Sequence, residues 1–126
     1  MALKDSKKRA SLIKSFGFAF SGIFRVLKEE RNIKIHLTAA IFVLVLAFYL
    51  NINRLDWLIL LLTITIVISL ELVNSAIEAV VDLASPNRHP LAKKAKDVAA
   101  GAVLVAAIVS VIIGILLFFP YFTILR

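Results

Sequence analysis

The sequence predicts an all-α membrane protein in which an N-terminal interfacial amphipathic helix precedes three transmembrane helices. Of its 126 residues, 61% are hydrophobic, whereas soluble domains are about 45–50% apolar. The apolar residues gather in three long segments, as membrane helices of about 20 residues require. We expect one domain, residues 1–126, with no removable signal peptide at its start.

The first element is a basic tail, residues 1–10, followed by the amphipathic helix, residues 11–31. At about 100° per residue, seven apolar side chains of this helix share one arc: Leu12, Ile13, Phe16, Phe20, Ile23, Phe24 and Leu27. Phe18 departs from the pattern. A basic, Phe-rich amphipathic helix is expected to lie in the plane of the membrane interface. The alternative is a helix that packs on the core of a soluble domain, but the chain has no such domain to receive it.

The three transmembrane helices are predicted at residues 33–51, 55–84 and 91–119, the last ending before Pro120. Short loops join them, so consecutive helices should be antiparallel. Lys and Arg are abundant before the first span and in the second loop, whereas the opposite side has only Arg54 and Arg126. By the positive-inside rule, the N-terminus and the second loop face the cytoplasm and the C-terminus lies outside. The protein is therefore expected to span the membrane several times, with its N-terminus on the cytoplasmic side.

The second span ends in an acidic stretch, ELVNSAIEAVVDL, residues 71–83. A charged side chain in hydrocarbon costs about 2.5–3.5 kcal/mol on insertion scales, so several of them indicate chemistry or the binding of a charge. The alternative is a structural role, in which the acids pair with Lys or Arg of a neighbouring helix. Five polar side chains fall on one stripe of the helix: Glu71, Asn74, Ser75, Glu78 and Asp82.

Two further polar groups are expected at the same membrane depth. Glu29 and Glu30 end the amphipathic helix, and Lys96 and Asp97 open the third span. Clustered carboxylates suit Mg²⁺, which binds one or two of them together with substrate phosphates. A helix start favours anions, so Lys96 is a candidate for contacting phosphate.

This combination of groups predicts phosphoryl transfer to or from a membrane lipid. Carboxylates are available for a metal ion, Glu71 lies deep enough to act as a base on a lipid hydroxyl, and a lysine can contact phosphate. The chain has no GxxxxGK[ST], GxGxxG or HRD-type motif, which excludes the soluble kinase architectures. It also has no cysteine, which excludes disulfides and thiolate metal sites. The isolated His36 and His89 are given no role.

Other classes of protein remain open on the residues alone. The net charge of +7 could suggest nucleic acid, but basic residues that flank apolar spans fit lipid headgroups or nucleotide phosphates better. A small ion channel or proton-carrying subunit would place an acid near the bilayer midplane. A scaffold protein would explain the small residues of the third span, which allow close helix packing: Gly101, Ala102, Ala106, Ala107, Ser110 and Gly114.

Three segments resemble the signature blocks of the small prokaryotic diacylglycerol kinase and undecaprenol kinase family: EERNIKIH, ELVNSAIEAVVDL and HPLAKKAKDVAAGAV. The resemblance extends from about Ser11 to Leu117. It implies a homotrimer with composite sites between subunits, and phosphorylation of a lipid hydroxyl by MgATP at the cytoplasmic face. The EERN and HPLAK forms resemble the members associated with undecaprenol, and diacylglycerol is the alternative acceptor.

The resemblance also implies roles for single residues. Glu71 matches the general base, and Glu30 and Glu78 match the acids that hold the metal ions of the nucleotide. The nucleotide and transfer site is implied to include Glu30, Asn74, Glu78, Lys96 and Asp97, and the lipid site Glu71, Asn74 and Ser75. Glu29 and Asp82 are further candidates for the site. Nucleotide contacts within residues 85–92 stay unassigned.

Overall fold

The computed structural model describes residues 2–124 and shows four α-helices there, with no strand in that range. The helices are α1 (Ala2–Glu29), α2 (Arg31–Leu50), α3 (Arg54–Ala84) and α4 (Pro90–Ile124). The chain divides into two compact units, Met1–Arg31 and Asn32–Arg126. Arg126, which the sequence analysis assigns to the outer side, lies outside the described residues.

All four helices are long and apolar enough to cross a membrane, by length and composition only. For α1 this differs from the prediction of three crossing helices. The reason is that no charged residue stands between Lys14 and Arg25, so the middle of α1 is uniformly apolar or small. Its placement in the membrane interface stays a prediction.

The first helix also begins earlier than predicted. It starts at Ala2 and so includes residues that the sequence analysis assigned to a basic tail. This segment has no Gly or Pro, and its Ala, Leu, Lys and Arg residues are good helix formers. A high density of positive charge therefore did not prevent helix formation.

The turn between α2 and α3 is defined by two asparagines. Asn51 has a φ of 52°, a left-handed conformation that asparagine tolerates better than most residues. Around it, the N–H groups of Ile52 and Asn51 donate to the carbonyls of Ala47 and Phe48, which closes α2 in a Schellman motif. Asn53 is then the N-cap of α3, its side chain accepting from the Asp56 N–H at 2.9 Å. The turn thus ends one helix and starts the next within three residues.

The last helix continues through Pro120 to Ile124, whereas from the sequence it was expected to end at residue 119, before Pro120. Proline removes one backbone donor, but membrane helices tolerate that loss where local contacts compensate. The continuation allows Tyr121 to reach the start of α3, where its hydroxyl donates to Asp56 Oδ2 at 2.5 Å and accepts from the Asn53 N–H at 2.9 Å. Beside these contacts lies a buried apolar cluster: Ala47, Ile52, Leu60, Leu117 and Phe118.

We expect Tyr121→Phe to lower the melting temperature, since a hydrogen bond to a charged group is lost and the Asn53 N–H loses its acceptor. The measurement is the melting temperature of the purified protein in detergent. Tyr49→Phe is the matched control, because Tyr49 is 84% exposed. Equal melting temperatures for the two variants would contradict a stabilising role for the Tyr121 hydroxyl.

Helices α3 and α4 pack together as an antiparallel pair, joined by a short loop. Ser85 caps α3, its N–H donating to the Val81 carbonyl at 2.8 Å. Pro90 occupies the first position of α4, where its missing N–H costs nothing. His89 Nδ1 accepts from the Leu91 N–H at 3.1 Å, so this histidine caps α4, a role that the sequence analysis did not assign. The beginning of α4 is therefore held beside the end of α3.

Candidate functional site

The acidic stripe of α3 runs from a buried to an exposed position. Glu71 is 1% exposed and Asn74 is 7% exposed. Glu78 and Ser75 are half-buried, and the side chain of Asp82 is 66% exposed. Since the rise is about 1.5 Å per residue, Glu71 and Asp82 are about 16 Å apart along the helix axis. The stripe therefore connects an enclosed carboxylate with the end of α3 that is open to solvent.

Glu71 contacts a histidine of the preceding helix. His36 Nε2 of α2 lies 3.7 Å from Glu71 Oε2, and the two side chains are 23% and 2% exposed. The sequence analysis assigned no role to His36. It is the one ionisable side chain besides Tyr49 in the apolar run of residues 35–50, and that isolation is the signal by which it could have been found.

Asn74 and Glu78, one turn apart, are brought into direct contact. Asn74 Nδ2 donates to Glu78 Oε1 at 3.4 Å. The other amide atom of Asn74, Oδ1, is buried and makes no hydrogen bond within the part of the chain that the structure describes. A buried acceptor left in this state costs about 1–3 kcal/mol. It is therefore suited to receive a donor or a cation from a bound ligand.

At the exposed end of the stripe, α4 meets α3 through an ion pair. Lys96 Nζ lies 2.5 Å from Asp82 Oδ1, and the lysine side chain is 41% exposed. Asp97 does not join this pair, because it contacts Lys93 of its own helix at 2.5 Å. A cleft of about 660 Å³ opens beside these groups, and its polar lining includes Asp82, Arg88, His89, Lys93, Lys96 and Asp97. Both predicted residues of α4 thus border one cleft.

The remaining predicted acids belong to the first unit. Glu29 Oε1 lies 3.1 Å from Arg25 Nε, and both side chains are exposed. Glu30 follows the end of α1, is half-buried, and its N–H donates to the Val26 carbonyl at 2.9 Å. The metal and nucleotide roles of Glu30 stay predictions, as does the association of Glu29 with the site.

Within residues 2–124, no three His, Asp or Glu side chains converge to form a metal site by themselves. A divalent cation held at the stripe would therefore take only one or two protein carboxylates, and its other ligands would be phosphate oxygens or water. That ligand set is the usual one for Mg²⁺ in nucleotide-dependent enzymes.

Comparison with known families decides between the classes that the residues left open. The model of the prokaryotic diacylglycerol kinase family matches residues 17–118. The chain belongs to this family. The resemblance seen in the three signature segments is thereby confirmed, and residues 17–118 include the whole acidic stripe and the cleft.

Several members of the prokaryotic diacylglycerol kinase family are similar to the chain over most of its length. The undecaprenol kinase of Bacillus subtilis (strain 168) is 46% identical over 121 residues, which is 95% of this chain and 98% of that protein. The diacylglycerol kinase of Synechocystis sp. is 42% identical over 111 residues, 87% of this chain and 63% of that protein. The diacylglycerol kinase of Escherichia coli (strain K12) is 32% identical over 111 residues, 88% and 91% of the two chains.

Family membership has two consequences. The chain is a kinase, an enzyme that transfers a phosphoryl group, and the channel and scaffold alternatives are set aside. Four apolar helices in a membrane kinase family also make it a membrane protein.

Proposed function

We propose that the protein transfers the γ-phosphoryl group of ATP, bound with Mg²⁺, to the hydroxyl of undecaprenol and so forms undecaprenyl phosphate. The similarity to the Bacillus subtilis undecaprenol kinase, 46% identical over 95% of this chain, supports this acceptor. Diacylglycerol is the second candidate, because the relatives at 42% and 32% identity are diacylglycerol kinases.

The observation that carries the proposal is the gradient of burial along α3. Glu71 at one end is enclosed, whereas Asp82 at the other end pairs with a lysine that is open to solvent. A lipid hydroxyl comes from the membrane and a nucleotide comes from water, so an enzyme that joins them needs a site that spans both environments. The stripe supplies such a site on a single rigid helix.

Glu71 is proposed as the general base. Phosphoryl transfer requires the acceptor hydroxyl to lose its proton as the new O–P bond forms, and a positioned carboxylate can take it. Burial suits this task because bulk water, the competing acceptor of the phosphoryl group, is kept from the base. Asn74 and Ser75, on the same helix, are proposed to orient the lipid hydroxyl beside Glu71.

The cleft at the start of α4 is proposed to receive the nucleotide phosphates. Lys96 is available for them because its pair with Asp82 lies in water, where such a pair contributes little and exchanges readily. The first turn of α4 adds the positive end of a helix dipole. Asp97, paired with Lys93 on the cleft wall, is proposed to position that lysine.

Glu78 and Glu30 are proposed to hold Mg²⁺. The residues of α3 fit such an ion, since Glu78 is half-buried and the bond that it accepts from Asn74 is long, at 3.4 Å. The Asn74 Oδ1 atom, without a hydrogen bond in the described residues, is a second hard oxygen beside it. When bound, the cation would neutralise charge that develops on the transferring phosphoryl group.

We further propose the assembly and placement that the family resemblance implies. The protein is a homotrimer in the bacterial cytoplasmic membrane, with α1 in the interface plane and the N-terminus in the cytoplasm. Its α1 carries exposed Phe16, Phe20 and Phe24, and such aromatic side chains suit the boundary between headgroups and acyl chains. Nucleic acid is not a proposed partner.

The topology gives a testable prediction. With α1 in the interface, a reporter fused after Arg126 should be on the outer side of the membrane, because three crossings separate it from a cytoplasmic N-terminus. A second reporter at the N-terminus is the control and should report the cytoplasm. Both reporters on the cytoplasmic side would mean that α1 crosses the membrane.

The proposed activity is tested by an acceptor assay on the purified protein in lipid vesicles. ADP release and labelled lipid product are measured with MgATP and either undecaprenol or diacylglycerol at matched mole fractions. The expected result is ADP release that depends on the lipid, with a higher kcat/KM for undecaprenol. A higher kcat/KM for diacylglycerol would mean that diacylglycerol, and not undecaprenol, is the acceptor. If ADP release does not depend on either lipid, the lipid kinase proposal is overturned.

A further inference from the structure

A base that is enclosed must be able to release its proton. If Glu71 takes a proton from the acceptor hydroxyl in every turnover, that proton has to leave before the next turnover begins. The Glu71 side chain is 2% exposed, so direct transfer to bulk water is obstructed. The structure should therefore contain a second group that contacts Glu71 and is itself accessible.

His36 has both properties. Its Nε2 atom lies 3.7 Å from Glu71 Oε2, and its side chain is 23% exposed, about ten times the exposed fraction of its partner. The distance is longer than the 2.7–3.2 Å of a hydrogen bond, but contacts in ligand-free sites commonly shorten once substrate is bound. Imidazole exchanges protons near neutral pH and has two ring nitrogens on different sides. One nitrogen can face Glu71 while the other faces the surroundings.

The charged groups around His36 do not offer a competing partner. From α3, the titratable group in contact with it is Glu71. The residues with which α4 lines the groove next to His36 run from Ser110 to Phe122, and none of them is an acid or a base. On α2 itself, Lys34 is exposed and lies two residues before His36, which is about 200° around the helix.

We propose that His36 carries the proton from Glu71 to solvent; this inference rests on the proposed role of Glu71 as base. In the chemical step, the O–H bond of the lipid alcohol breaks, its oxygen bonds to the γ-phosphorus, and the bond between that phosphorus and the ADP oxygen breaks. The proton moves to Glu71, then to Nε2 of neutral His36, and a proton leaves the imidazolium through Nδ1 to water. The balance is one lipid alcohol and one ATP giving one lipid phosphate, one ADP and one proton.

A merely structural histidine would give a different result. If His36 only offsets the charge of Glu71 or fills space, its loss should lower stability or substrate binding, and no small molecule in solution should restore the rate. If it carries protons, a free base in the buffer can take over that task. Chemical rescue therefore separates the two roles.

The experiment compares wild type, His36→Ala and His36→Gln in lipid vesicles with MgATP and either undecaprenol or diacylglycerol, with increasing imidazole in the buffer. For both variants we expect kcat to fall by roughly ten- to a hundredfold, less than the loss of the base itself. The KM for ATP should stay unchanged. Imidazole should then raise kcat of the variants in a saturable manner and leave wild type unaffected. Thr38→Ala is the control, since Thr38 is exposed on the same helix and its hydroxyl donates to the Lys34 carbonyl.

Each outcome decides the proposal. A folded variant whose kcat equals that of wild type, or whose reduced kcat does not respond to imidazole, overturns it. Where His36→Ala loses its folded melting transition, His36→Gln decides the question by the same titration, because its amide retains side-chain volume but cannot carry a proton. Wild type that phosphorylates neither lipid alcohol would instead refute the proposed function, so the two failures are distinguishable.

Discussion

Glu71→Gln is expected to lower kcat by about 10²–10⁴-fold, the range that positioned general bases contribute. Glutamine keeps the volume and hydrogen-bonding capacity of the side chain but cannot accept the proton of the lipid hydroxyl. ATP affinity should change little, since the cleft that is proposed to bind phosphate lies at the other end of the stripe. The measurements are kcat, the KM for ATP, and the melting temperature of the same preparation.

Stability separates a catalytic from a structural Glu71. Removing a costly buried charge should leave the protein as heat-stable as wild type or more so. His36 does not oppose this expectation, because its side chain is 23% exposed and is not enclosed without a partner when the carboxylate is removed. If Glu71 were half of a structural ion pair, the change would strand its partner and the variant would melt earlier. Full activity, or inactivity explained by unfolding, would refute the assignment as base. Asp5→Asn, an exposed acid of α1, is the control.

The helices could be predicted closely because membranes leave the backbone few choices. Every backbone polar group in hydrocarbon must be paired, so a long apolar run has to be a helix. Residues 55–84 were predicted for the second span, and α3 is Arg54–Ala84. The predicted helix bounds are wrong at the two chain ends, where the pairing of backbone groups in hydrocarbon does not determine the structure. Residues 2–10 are helical because their local propensity is high. Helix α4 continues past Pro120, and Tyr121 in this continuation bonds Asn53 and Asp56.

The candidate site could be predicted along one helix but not between helices. Helical periodicity alone places Glu71, Glu78 and Asp82 on a common stripe. It does not determine how α2 and α4 are rotated against α3, so the contact of His36 with Glu71 and the pairing of Lys96 with Asp82 were not foreseen. The rotation of each helix depends on how its apolar side chains pack. Since α2, α3 and α4 are each apolar on several faces, the sequence does not indicate which face packs against a neighbouring helix.

The second large effect is expected at the proposed metal ligands. Glu78→Gln should raise the Mg²⁺ concentration needed for half-maximal rate by about ten- to a hundredfold, because the charge that is proposed to hold the cation is lost from a half-buried position. ATP should bind more weakly in parallel, since the nucleotide carries the cation. Glutamine still offers an oxygen to Asn74 Nδ2, which donates to Glu78 Oε1 in wild type, so the local packing of α3 should persist and the melting temperature should change little.

Comparison of Glu78→Gln with Glu30→Gln and Glu78→Asp tests whether charge is the property that matters. If both acids hold the cation, Glu30→Gln should raise the Mg²⁺ requirement as well, whereas Glu78→Asp, which keeps the charge on a shorter stem, should show a smaller rise. The measurement is a Mg²⁺ titration of the initial rate at saturating lipid, with ATP binding followed separately by calorimetry. An unchanged Mg²⁺ requirement in both glutamine variants would leave Glu30 and Glu78 as structural acids, and the cation would then have to be held by phosphate oxygens and other side chains of the cleft.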